Sequence, residues 1–174
     1  MSFNINMKIK PLRTLPEVLI YKMPDTFYSG EYRMINTKTG KFVGEMITSN
    51  LKLEKKYLGI AILNIFKKRQ GYGTRFLNFA KKLSQEQGAE GRLILKATTM
   101  PQDPHNPPHI FYRKFGFTTE DKKQLKKIDR HIKKNKQLNW LETPNLIMTY
   151  PDTTPKKKGL LENIKEKLYN YFNN

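Results

Sequence analysis

Cysteine is absent from the 174 residues of this chain. Its absence excludes disulfides, thiolate zinc centres and cysteine nucleophiles. Long apolar runs are missing too. The longest, Leu58 to Leu63, is far too short to span a bilayer, so no membrane role is expected. The opening stretch, Met1 to Pro11, lacks the apolar core of a secretory signal, and a cytoplasmic location is the plain expectation. Acidic residues are few: 15 Asp+Glu stand against 33 Lys+Arg, a net charge of +18. Strongly basic domains often bind anions such as nucleic acid or a polyphosphate. Arginine supplies only seven of the cations, however, and asparagine is abundant at fourteen. A coding bias towards Lys and Asn gives the same pattern, so the charge by itself assigns no function. With 37% apolar residues the chain can fill one core but hardly two.

What is present reads as strands first. Val18 to Lys22 is a short apolar-rich run. Glu31 to Ile35 and Lys41 to Ile47 flank the polar linker Asn36-Thr37-Lys38-Thr39-Gly40, a hairpin pattern. Leu58 to Phe66 is apolar at both parities, as expected of a central strand buried on both faces. After a basic, glycine-containing break, Thr74 to Gln87 reads as a helix with Phe76, Leu77, Ala80 and Leu83 on one stripe and Gly88 as its stop. Leu93 to Thr98 is a strand, and the proline-rich Met100 to Pro108 a loop. Pro107 and Pro108 open a short helix that turns Ile110, Phe111 and Phe115 inward and ends at Gly116. Phe117 to Glu120 and Leu146 to Tyr150 have strand character. Gly159 to Phe172 reads as a final amphipathic helix. The order predicts an α/β (α+β) domain over 1–150, with 151–174 as linker and C-terminal helix.

The chemistry concentrates where the buried strand turns into a helix. Gly71 and Gly73 straddle Tyr72 there. Paired glycines allow close backbone approach and unusual dihedrals. The first N–H groups of the following helix lack internal partners, and the helix dipole favours an anion at that end. Gly71, Tyr72, Gly73, Thr74 and Arg75 are thus a candidate pyrophosphate cradle. The spacing fits neither the GxxxxGK(S/T) loop nor GxGxxG, since position 76 is Phe.

Lys68-Arg69-Gln70-Gly71-Tyr72-Gly73, after an apolar strand and before a helix, resembles the acetyl-CoA motif of the GNAT superfamily of N-acetyltransferases, Arg/Gln-x-x-Gly-x-Gly/Ala. Asn106, followed by Tyr112 and then Phe115-Gly116-Phe117, resembles that family's Asn-x-x-Ala-x-x-x-Tyr-x-x-x-Gly-Phe ending. Lys68 departs from the family's Arg or Gln and lacks the guanidinium fork. The stretch from Met23 to Gly30 is too short for the helices that help the family form its acceptor site.

The resemblance implies a mixed, mostly antiparallel sheet flanked by helices. It implies an enzyme that moves an acetyl group from acetyl-CoA to a primary amine by direct attack in a ternary complex. The pantetheine arm would pair with the strand end at Leu63, Asn64 and Ile65, and Asn106 would bond the same arm. Tyr112 would protonate the departing thiolate, its ordinary pKa lying near that of a thiol. The general base is left open among Glu45, Glu54, Asp103 and His105, with solvent an equal alternative; Glu45 is carried forward as the candidate. His105 and His109 stand four apart, but Pro107-Pro108 interrupt helical geometry and no third ligand is evident, so no metal is expected. The competing function is a non-enzymatic module that binds CoA or nucleic acid on the same scaffold.

One segment differs in kind. Asp121 to Leu138 holds eight Lys/Arg and two Asp, a net +6, with Leu125, Ile128 and Ile132 at helical spacing. It is read as a basic helical insertion over 121–138. Its face is a solvated surface, a funnel for CoA phosphates, or a docking surface for nucleic acid. A net +18 chain repels polycationic acceptors, so a peptide, protein or aminoacyl-tRNA amine fits better. A monomer or homodimer is expected.

Overall fold

A computed structural model of the protein describes residues 13–15, 17–24, 30–52, 56–98, 107–134 and 145–151. Glu54, Asp103, His105, Asn106, Trp140 (from sequence a core or interface anchor) and the C-terminal helix expected at Gly159 to Phe172 lie outside the described residues.

Alternating burial builds the first strands. In β2 (Val18–Lys22) and β3 (Gly30–Asn36), Val18, Ile20, Tyr32 and Met34 point into the core, while Leu19, Glu31, Arg33 and Ile35 are only partly covered and Tyr21 is the one buried residue between them that breaks the alternation. The two strands pair antiparallel, Val18 opposite Asn36. A three-residue strand, β1 (Arg13–Leu15), adds a further edge that the sequence did not announce. The linker after β3 closes the expected hairpin. Asn36 Oδ1 accepts backbone N–H bonds from Lys38 and Thr39, both 3.0 Å, and Gly40 takes φ +64°. The returning strand β4 (Phe42–Lys52) runs past the anticipated end at Ile47.

β5 (Lys56–Ile65) pairs antiparallel with β4 over its whole length. It then leads through the glycine turn into α1 (Tyr72–Glu86), and α1 returns to β6 (Leu93–Ala97), which lies parallel to β5. β7 (Leu146–Tyr150) completes a seven-stranded sheet in sequential order, antiparallel everywhere except β5–β6. The helix stripe is as read, with Phe76, Leu77 and Ala80 buried, and Phe79 joins it edge-on to Tyr32 at 5.0 Å. The core lies between α1 and the sheet, where these side chains meet Ile20, Met34, Met46 and Leu58.

Three expectations are corrected. β5 is buried on both faces only from Tyr57 to Ile60; beyond that Ile62 is 37% exposed. In α2 (Pro108–Phe115) the buried residues are His109 and Tyr112, while Ile110, Phe111 and Phe115 are only partly covered. Pro108 does start that helix, and Gly116 ends it at φ +112°. Phe117 to Glu120 forms no strand; a single bridge joins Thr118 to Thr149. The basic segment is helical as α3 (Lys122–Lys134), with Ile128 fully buried and residues 135–138 outside the described range.

Candidate acetyl-CoA site

The parallel ladder between β5 and β6 holds for only three residues, Leu58–Ile60 against Leu93–Leu95. Both strands continue, but apart. Their separation begins where β5 carries an extra residue: Ile47 faces Ile62 and Thr48 faces Ile60, so Ala61 is bulged. The bulge reverses the direction of the backbone groups. Before it, the Leu58 N–H points to β6, donating to Arg92 O at 3.1 Å. After it, the Phe66 N–H points to β4, donating to Val43 O at 3.0 Å. Two-residue alternation then turns the peptide groups of Asn64 to β4 and those of Leu63 and Ile65 into the widening gap. Of the three expected arm-binding residues, two therefore present backbone to the gap. Asn64 does not.

α1 begins at the mouth of this gap. Arg69 (φ +63°) and Gly71 (φ +77°) flank Gln70, so φ alternates in sign along the turn. Alternation of this kind gathers successive N–H groups into an anion-binding hollow. Gly71 is the helix N-cap, and the Arg75 N–H bonds back to Gly71 O at 3.1 Å. The free N–H groups are consequently those of Gly71 through Thr74; the Arg75 amide is used in the helix, and its guanidinium stands 3.9 Å from Glu17 Oε2. Lys67, Lys68, Arg69 and Gln70 are all exposed around the turn.

The two glycines have different reasons. A Cβ on Gly71 would meet nothing within 4 Å, so its small size reflects the left-handed conformation and leaves open space above it. A Cβ on Gly73 would lie 2.9 Å from the Phe111 ring. Gly73 lets α2 pack on the first turn of α1. Tyr72 between them is buried, and its hydroxyl accepts a bond from Asn36 Nδ2 at 2.9 Å, which ties the turn to the β3–β4 hairpin. Asn36 and Ala61 are site-building residues with no local signature, and Phe111, expected only to face inward, takes its place against Gly73.

α2 follows β6 and starts at the same end of the sheet. Tyr112 lies in its second turn, its ring 5.3 Å from Phe111 and 5.6 Å from Phe117. Burial pushes its phenol up to about 12. The side chain is therefore neutral and carries its proton at physiological pH.

Comparison with profiles of known families gives no match, and no curated sequence matches. Solved structures do. A GNAT family acetyltransferase from Elizabethkingia anophelis with acetyl-CoA bound is 12% identical, with TM-score 0.50, 76% of this chain and 97% of that chain covered. The chain has the GNAT fold. Other similar structures are longer. A Bacillus anthracis protein crystallised with acetyl coenzyme A is 15% identical with TM-score 0.45, covering 72% of this chain and 62% of that one. A glucosamine N-acetyltransferase region of a fungal multi-domain β-N-acetylglucosaminidase is 20% identical with TM-score 0.43, covering 53% of this chain and only 12% of that one.

On this GNAT fold the two sheet faces are unequal. Gly44 and Ile65 face Phe76 of α1. The opposite face carries Glu45, whose Oε1 accepts from Asn64 Nδ2 at 2.8 Å. Beside them Phe42, Ile62 and Phe66 are exposed, with the Phe42 and Phe66 rings 5.1 Å apart and the Arg33 guanidinium 5.6 Å from Phe42. The antiparallel pairing of β2 and β3 reaches past Lys22, Met23 N–H donating to Glu31 O at 2.8 Å, and residues 25–29 of their connection lie outside the described residues. No group of three or more metal-ligating side chains exists among the described residues.

Proposed function

We propose that this protein transfers an acetyl group from acetyl-CoA to a primary amine. The observation that carries the reading is the gap opened by the Ala61 bulge. It presents the Leu63 and Ile65 peptide groups and ends at the helix N-terminus capped by Gly71. An extended pantetheine arm has the hydrogen-bonding needs of a β-strand, and its pyrophosphate needs converging N–H groups. The gap followed by the glycine turn supplies both in that order.

α1 fills one face of the gap, so the amine approaches from the other, where Glu45 sits. Glu45 accepts the ammonium proton, directly or through water. The free amine attacks the thioester carbonyl carbon, and a strand N–H facing the gap stabilises the oxygen that gains charge. The C–S bond then breaks. Tyr112, protonated because it is buried, gives its proton to the departing thiolate, and the second proton lost by the nitrogen as the amide forms restores the phenol. Acceptor class follows from charge: a basic protein disfavours polycations, which leaves an amine on a peptide, a protein or an aminoacyl-tRNA.

Calorimetry with acetyl-CoA, followed by a thiol-release assay over a panel of amines, tests the reading. Saturable binding with amine-dependent thiol release is expected. Absence of acetyl-CoA binding overturns it; binding without turnover on any amine replaces it with a non-enzymatic CoA-binding module.

A further inference from the structure

We propose that the outer face of α3 binds the phosphate backbone of a nucleic-acid duplex. Seven of its thirteen residues are Lys or Arg, against 33 of 174 in the whole chain. A uniform lysine bias would place two or three there. The cations are also sorted. At about 100° per residue, Lys122, Lys123, Lys126, Lys127, Arg130, Lys133 and Lys134 fall within an arc of about 140°. All of them except Lys127 are exposed.

Folding does not account for this face. Lys122 and Lys123 sit in the first turn, where the helix dipole disfavours positive charge; that turn holds no acidic residue, and Asp121 just before it, accepting from the Gln124 N–H at 3.0 Å, and Glu120, whose charge meets Lys122, offset only the start of the face. Lys122–Lys126, Lys123–Lys127, Lys126–Arg130 and Arg130–Lys134 are like-charge pairs four apart, each destabilising by about 0.2–0.5 kcal/mol. The only carboxylate of α3, Asp129, is turned towards α2, where Arg113 holds it in a two-bond fork at 2.7 and 3.1 Å. The helix thus keeps a repulsive face and commits its single anion elsewhere. A polyanion lying along the face would relieve that repulsion.

The same helix excludes insertion into a membrane. Its apolar side is already used, with Ile128 fully buried and Ile132 packed against the core. The arc carries no aromatic residue for stacking on unpaired bases, which favours a duplex backbone over a single strand. At about 1.5 Å per residue α3 is roughly 20 Å long, enough to reach several successive phosphates.

The test is fluorescence anisotropy with a labelled duplex DNA of scrambled sequence, without acetyl-CoA or amine, so its outcome is independent of the acetyl-transfer reading. With about four phosphates neutralised, affinity should fall roughly 100-fold between about 50 and about 200 mM salt. The triple variant Lys123→Glu/Lys126→Glu/Arg130→Glu should bind at least about 100-fold more weakly and lose most of the salt dependence. The control triple Lys22→Glu/Lys41→Glu/Lys82→Glu, at exposed sites elsewhere with the same change in net charge, should lose far less. Circular dichroism checks that each variant folds, and Gln replacements serve where Glu prevents it. Equal losses in both triples would overturn the proposal, as would duplex binding that is absent in the wild type. So would a loss confined to vesicles of anionic lipid with duplex binding intact.

Discussion

A Cβ added at Gly71 would meet no atom within 4 Å, yet φ +77° penalises most L residues, so conformation and packing can be separated there. Gly71→Asn tolerates the left-handed region; Gly71→Val does not. Both should weaken acetyl-CoA binding at least about ten-fold, because either side chain enters the space above the helix N-terminus. Only Val should also lower the thermal midpoint noticeably, by the roughly 1–2 kcal/mol of left-handed strain. Wild-type affinity in the Asn variant would place the pyrophosphate elsewhere. Tyr112 allows a sharper pair of measurements. Tyr112→Phe should lower kcat by about 100-fold while leaving acetyl-CoA affinity within about two-fold. The same phenol links stability to alkaline pH. Its folded pKa is raised to about 12 from an ordinary value near 10. Below about pH 10 it is protonated in both states. Between about 10 and 12 the unfolded chain sheds the proton first, so stability falls as pH rises. Urea midpoints followed from about pH 9 to 11.5 should fall less steeply in Tyr112→Phe than in the wild type.

Elements were readable wherever one periodicity dominated. The β3–β4 hairpin follows from its polar linker, and α1 from its apolar stripe. What pins them to each other was not readable, because it depends on a contact 36 residues apart. The Tyr72 hydroxyl and Asn36 Nδ2 meet at 2.9 Å, while Asn36 Oδ1 organises its own turn. One asparagine thereby joins the hairpin to the helix N-terminus. Tyr72→Phe keeps the ring in the core and removes only this bond. It should cost about 1 kcal/mol and lower the thermal midpoint by about 2–4 °C, measurable by calorimetry. The two glycines illustrate the same limit. As sequence they are equivalent, and both belong to the candidate pyrophosphate cradle. In three dimensions Gly71 makes the turn and Gly73 admits the Phe111 ring. Nothing local distinguishes them, because Phe111 arrives from another helix.

Across the whole molecule the sheet is two units joined by a narrow seam. β1 to β5 form a continuous antiparallel block; β6 and β7 form a pair; among the described residues their backbones are joined by the short ladder Leu58–Ile60 against Leu93–Leu95, with the Leu58 N–H donating to Arg92 O at its start. The succession of elements is legible in the apolar runs and the helix stripe, but the order of strands in the sheet and the length of the seam are not. It is set by the Ala61 bulge, and no residue type in Gly59-Ile60-Ala61-Ile62 marks it. Hydrogen exchange can read the seam directly. Amides facing a paired strand are protected, and those facing the gap are not. In the ligand-free protein, Leu63 and Ile65 should exchange much faster than Leu58, which donates to Arg92 O, although all three lie on one strand. Asn64, turned towards β4, should be slow as well. Saturating acetyl-CoA should slow Leu63 and Ile65 selectively, because the pantetheine arm then supplies the missing partner. The Gly73 and Thr74 amides at the helix start should follow, through the pyrophosphate. Protection spread evenly over β5 would mean a general tightening of the sheet. Protection at the helix start alone would mean that the phosphates bind while the arm lies outside the gap.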